Sequence, residues 1–199
     1  MPRRSRIGSY GTTYYGGAYA PGCIFSIRIT RGGHVTEELL HSFSGPDGDY
    51  PIAGLIDVKG VLYGTTVSGG EGPNGRGTVF SITTSGTENL LHTFAGGPYD
   101  GSDPYGNVTY NNGTFYGMTY TGGAYRGFRR LGGGTVFSVT ASGTEKVLHS
   151  FGKVMNNGAS PMAGVIYVRG TLYGTTQEGG HRGCGGSTRD CGTVFALTP

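Results

Sequence analysis

Three histidines recur in one local context, Leu-His-Ser/Thr-Phe, at His41, His92 and His149. An imidazole can ligate a metal or move a proton near neutral pH, so the recurrence raises both chemistries. Local periodicity argues against them. In Leu90-Leu91-His92-Thr93-Phe94, residues 90, 92 and 94 share one face of an extended strand. His92, and by equivalence His41 and His149, are therefore expected among apolar neighbours as structural residues, hydrogen-bonded to a carbonyl or hydroxyl. Shortly after two of them come Asp47-Gly48-Asp49 and Asp100-Gly101-Ser102-Asp103, so Asp47, Asp49, Asp100 and Asp103 are the calcium candidates. The bidentate glutamate at position twelve of a calcium loop is missing. The third copy, Asn156-Asn157-Gly158-Ala159-Ser160, holds no carboxylate. Turns leading into a strand-starting proline account for all three; no metal and no cofactor are expected.

Two other segments could do chemistry. One holds Tyr125, Arg126, Phe128, Arg129 and Arg130, the other His181, Arg182 and Arg189. Aromatic rings stack on sugar faces and guanidinium groups bind carboxylates in a bidentate manner, so an acidic glycan is the expected ligand class if these loops bind anything. The alternative is an enzyme acting on polysaccharide, with Tyr125, Arg126 and His181 as catalytic candidates. No nucleophile elbow, phosphate loop or dinucleotide fingerprint is present in the sequence, which favours binding over catalysis. Cys184 and Cys191 fall in one loop, at a spacing that suits a disulfide in an oxidising compartment rather than zinc. Cys23 is expected to be a packed thiol.

The elements that position these residues are repeated. Tyr-Gly-x-Thr begins at Tyr10, Tyr63, Tyr116 and Tyr173, and a second motif ends at Phe25, Phe80, Phe137 and Phe195, the last three copies reading Gly-Thr-Val-Phe. Within one copy, four runs have strand composition: Gly54 to Val58, Val61 to Thr66, Thr78 to Thr83 and Asn89 to Phe94. Lys59-Gly60 and Ser85-Gly86-Thr87 supply tight turns between them. No stretch carries a helical apolar period. Glycine and proline make up 51 of 199 residues, which without a period would suggest disorder; here the glycines recur in register with the motifs.

The expected fold is all-β, a β-propeller of four-stranded antiparallel blades. It has about four blades in a single repeat domain over residues 1–199: a partial blade at 6–43, blades at 51–94 and 104–151, and a partial blade at 161–199. A β-sandwich is the structural alternative. Incomplete end blades make an oligomer or a larger ring the corollary expectation. In such a meander the long connections, after the second and fourth strands, share one face, where a ligand is expected.

Charge excludes more than it proposes. A net charge of +3 with 14% charged residues gives no basic stripe for phosphates, so no nucleic acid partner is expected. No apolar run is long enough to span a bilayer. The start, Met-Pro-Arg-Arg-Ser-Arg, is followed by no apolar segment and does not read as a signal peptide; either an internal protein or a processed piece is expected.

The ordered motifs Leu62-Tyr63-Gly64-Thr65-Thr66, Gly69-Gly70, Gly77-Thr78-Val79-Phe80 and Leu91-His92-Thr93-Phe94, with the Asp-Gly loop ending in Pro104, resemble the GloVer tandem-repeat proteins, the choice-of-anchor bacterial family. The resemblance covers nearly the whole chain. It implies a propeller-like fold, an extracellular or cell-surface location and no known catalytic activity to carry over. The expected function is recognition of a glycan or a surface protein, or scaffolding, through the loop-rich face.

Overall fold

The computed structural model describes residues 7–30, 32–73, 75–125, 132–154, 156–181 and 191–199. Among the described residues there is no helix, and the sheets are antiparallel. The first sheet is β1 (Ile7–Thr13), β2 (Cys23–Ile29) and β3 (Val35–Ser42). The second is β4 (Ile56–Val58), β5 (Val61–Thr66), β6 (Thr78–Thr83) and β7 (Glu88–Thr93). A ribbon of β8 (Gly101–Ser102) and β11 (Thr121–Gly122) joins the next loops. The third sheet is β9 (Thr109–Asn111), β10 (Thr114–Thr119), β12 (Thr135–Thr140) and β13 (Glu145–Ser150). The fourth is β14 (Ile166–Val168), β15 (Thr171–Thr176) and β16 (Thr193–Leu197).

The repeated motifs are the two halves of one packing device. Gly64 on β5 pairs opposite Phe80 on β6, and the phenyl ring folds back across the glycine. A Cβ there would stand 2.7 Å from the ring's Cζ. Gly11 with Phe25, Gly117 with Phe137 and Gly174 with Phe195 repeat the arrangement. The ring's other contacts reach across to the preceding sheet. Phe43 meets Phe80 edge-on at 5.3 Å between centroids, Phe94 meets Phe137 at 5.0 Å and Phe151 meets Phe195 at 5.2 Å. The core therefore lies between successive sheets, in three slabs. One holds Ile24, Phe43, Leu62, Phe80 and Ile82, the next is built on Phe94, Phe115 and Phe137, and the third on Met118, Phe151 and Leu172. Each fully buried phenylalanine contributes roughly 1.5–3 kcal/mol.

A second device locks each repeat to the next. Tyr50, Asp103 and Ser160, each just before a proline, sit at φ of 60°, 59° and 56°. Their N–H groups donate to the carbonyls of Pro21, Arg76 and Gly133 in the preceding repeat. Their own carbonyls accept from Val67, Tyr120 and Gln177. The left-handed backbone costs about 1–2 kcal/mol per non-glycine residue, which the paired bonds offset. The prolines then pack on glycines: a Cβ at Gly22, Gly77 or Gly134 would lie 2.6, 2.5 or 2.8 Å from Cδ of Pro51, Pro104 or Pro161.

The structure differs from the sequence expectation in two places. The run expected from Gly54 shortens to Ile56–Val58, because the segment after each proline bonds its neighbour instead: Gly54 N–H donates to Asn107 Oδ1, and Thr65 Oγ1 donates to the Gly106 carbonyl. The partial blade expected at 6–43 is a three-stranded sheet, within which residues 7–9 belong to β1 and pair with Arg28 and its neighbours on β2. Strict alternation on the fourth strand fails. The ladder shifts between Val79 and Phe80, which pair with His92 and Leu90, so Leu91 is an extra residue. Leu40 and Leu148 are its equivalents. Leu91 turns inward and Leu90 is only half-buried, as expected of a bulge that re-aims side chains.

Candidate functional site

Five tyrosines lie in two groups on the connections that flank the proline clamps. Tyr14 and Tyr15 follow β1, and Tyr50 is held by its clamp to Pro21. Tyr14 stacks on Tyr50 at 4.8 Å with 20° between planes. Tyr15 stands edge-on to both, at 4.5 and 5.6 Å. In the third repeat Tyr105, directly after Pro104, meets Tyr120 edge-on at 5.4 Å. Desolvation, then Asp103, Tyr14 and Tyr120, holds the Tyr105 phenol above its ordinary range. Desolvation by the packed rings, followed by Tyr15 and Tyr50, likewise raises Tyr14. Tyr15 remains 70% exposed. Such a surface offers flat apolar rings with hydroxyl edges, suited to sugar faces and to apolar side chains.

The repeated histidines are half-buried at the joints between sheets rather than enclosed in the core. Each packs edge-on against the phenylalanine two residues on, at 4.8 Å. Carboxylates, in place of the expected carbonyls and hydroxyls, face two of them: His41 Nε2 lies 2.8 Å from Asp47 Oδ2, and His92 Nε2 lies 3.4 Å from Asp100 Oδ1. A glutamate from the next sheet completes each joint. Burial first, then the charge of Asp47, pushes Glu88 up to about 7. Burial, then Asp100, pushes Glu145 up to about 7 against the opposing effect of His92. His149 has asparagines in the equivalent loop, and burial lowers its pKa.

The calcium candidates do not converge as a ligand set. Asp47 accepts from the Ser44 amide and hydroxyl, Asp100 from the Ala95 and Gly101 amides, and Asp103 from the Thr121 hydroxyl. Asp49 is raised by desolvation and by Asp47.

Of the expected ligand residues, Tyr125 lines a recess of about 360 Å³ with Ala124, His149, Ser150, Lys153 and Asn157. The Lys153 ammonium lies 5.6 Å from the Tyr125 ring centre. His181 is exposed, its carbonyl accepting from the Cys191 amide. Arg126, Phe128, Arg129, Arg130, Arg182 and Arg189 lie outside the described residues. So does Cys184, while Cys191 is disulfide-bonded. Cys23 is a buried free thiol facing Thr13 Oγ1 at 3.2 Å. It takes the place of the hydroxyl in the equivalent pairs Thr66–Thr78, Thr119–Thr135 and Thr176–Thr193.

Sequence reasoning passed over both the tyrosine surface and the glutamates. The signal for the glutamates was Ser-Gly-Thr-Glu, present at both Glu88 and Glu145.

Fold and motifs together define an all-β tandem-repeat protein whose antiparallel sheets pack through shared phenylalanines. A family model, the Gloeobacter/Verrucomicrobia repeat, matches residues 8–195, and the chain belongs to that family. No curated protein matches the chain. Among the described residues, no helix is long and apolar enough to cross a membrane.

Proposed function

We propose that the chain is a non-catalytic recognition or scaffold module at the cell surface or outside the cell, its repeat sheets serving as propeller blades. It binds a glycan or a surface protein through the loops that carry Tyr14, Tyr15, Tyr50, Tyr105 and Tyr120. The stacked and edge-on tyrosines carry this reading, since aromatic rings gathered at a surface are unusual unless something packs on them. Tandem meanders with their cores between sheets support the blade arrangement. The disulfide at Cys191 supports an oxidising compartment. A glycan and surface-protein array with the whole chain tests it: retention that falls with Tyr15→Ala and Tyr50→Ala is expected, and absence of retention on both arrays overturns it.

A second reading, self-association, rests on β16, whose Val194 is 81% exposed on an outer strand. Exposed strand edges pair readily with other chains. Sedimentation showing a strict monomer at all concentrations removes it.

A further inference from the structure

The joint between the second and third sheets brings together three side chains that the recognition surface does not use. His92 comes from the end of β7, Asp100 from the loop that follows, and Glu145 from the start of β13 in the next repeat. One ligand atom from each lies within 4.8 Å of the other two. All three are half-buried. The Glu145 Oε1 atom is buried without a hydrogen-bond partner, an arrangement that ordinarily destabilises a fold. Asp100 is fixed by two loop amides, which orient its carboxylate toward the imidazole. Two carboxylates face one imidazole here, and no lysine or arginine is among the three.

We propose that His92, Asp100 and Glu145 bind a divalent transition-metal ion, with Zn2+ the best match, clamping the second repeat to the third. One imidazole and two carboxylates form a nitrogen–oxygen donor set suited to zinc with a fourth, open position. An ion holding ligands at about 2.1 Å places them roughly 3.4 Å apart, so the side chains need to close by little more than an ångström. The imidazole excludes a calcium-type all-oxygen shell.

The neighbouring joints provide internal comparisons. At the first, His41 and Asp47 are already closed in a 2.8 Å hydrogen bond, and Glu88 does not complete a comparable three-residue cluster with them. At the third, Asn156 and Asn157 stand in the loop where the carboxylate would be. One ion per chain is therefore expected. The site shares no residue with the tyrosine surface, so loss of either leaves the other assignment standing.

The test is calorimetric titration of the chelator-treated whole chain with Zn2+ alone. Binding in the micromolar range or tighter, near one ion per chain, is expected. Glu145→Gln and His92→Gln should each weaken it at least tenfold, while His149→Gln leaves it unchanged. Should a variant fail to fold, paramagnetic Co2+ added to the native chain should broaden the His92 imidazole signals before those of His34 and His181. Absence of binding up to millimolar Zn2+ overturns the proposal. So does binding unchanged by both variants, or broadening that begins at another histidine.

Discussion

The ring of Phe80 lies across Gly64, so that a Cβ on the glycine would come within 2.7 Å of the ring's Cζ and 2.9 Å of Leu55 Cδ2. The absence of a side chain at 64 is what lets the phenyl ring reach Phe43 in the sheet before. Gly64→Ala must displace a fully buried ring, and overpacking of this kind costs about 1–3 kcal/mol. Phe80→Ala removes the ring and leaves a cavity, at about 3–5 kcal/mol. Chemical denaturation of the two variants should place Phe80→Ala well below Gly64→Ala. In the double variant the losses should be less than additive, because the glycine's added methyl no longer meets a ring.

Two glycines with positive φ separate backbone preference from crowding. Gly60 (φ 84°) faces open space, whereas Gly77 (φ 97°) would bring a Cβ within 2.4 Å of the Thr66 carbonyl oxygen and 2.5 Å of Pro104 Cδ. Gly60→Ala carries only the left-handed penalty, about 1–2 kcal/mol. Gly77→Ala adds collision with backbone and with the clamp of the next repeat. Its midpoint in urea should fall by more than twice the shift seen for Gly60→Ala. Equal shifts would show that the proline clamp yields without strain.

These two devices also explain what could be read from the sequence. Val61–Thr66 and Thr78–Thr83 were legible because strand composition, turn glycines and the motifs all agree locally. The bulge at Leu91 was not, since Leu90-Leu91 satisfies either face until the cross-strand partner is known. The tyrosine contacts join residues 14 and 15 to 50, and 105 to 120, across stretches of chain that the clamps bring together. The joint at His92 likewise needs Glu145 from the following repeat. Repeats announce their internal hydrogen bonds in sequence; contacts from one repeat to the next depend on how the sheets are stacked.

Glu88 makes one such contact measurable. Burial against the preceding repeat, together with Asp47, holds its carboxyl at about 7 when folded, above the ordinary 4.5. Between these values the folded chain binds more protons at this site than the unfolded chain, so stability declines with rising pH. Its contribution is complete below pH 4.5 and is lost as pH rises through about 7. His149, lowered by burial, works in the opposite sense, removing stability as pH falls through the ordinary histidine range. Melting temperatures from pH 5 to 8 should therefore drop toward the alkaline side for the native chain, and Glu88→Gln should reduce that slope. An unchanged slope would mean that the carboxyl is solvated in solution.

The tyrosine surface predicts a separation of binding from stability. Tyr15 is 70% exposed, with its ring edge-on to Tyr14 and Tyr50, so Tyr15→Ala should shift the denaturation midpoint little. Tyr50→Ala removes a ring stacked on Tyr14 but keeps the clamp, because the two clamp bonds use the backbone of residue 50. Alanine in the left-handed region carries a similar backbone penalty to tyrosine, so its loss of stability should stay near the 0.5–1.5 kcal/mol typical of an aromatic pair, about the value of the stack alone. Affinity for whatever the array identifies should fall at least tenfold in both variants, since each removes a stacking face. Tyr99 supplies the control: it is 90% exposed and is not part of the cluster, so Tyr99→Ala should change neither quantity. If Tyr99→Ala weakens binding as much as Tyr15→Ala does, the contact surface extends to that loop and the cluster is not its centre.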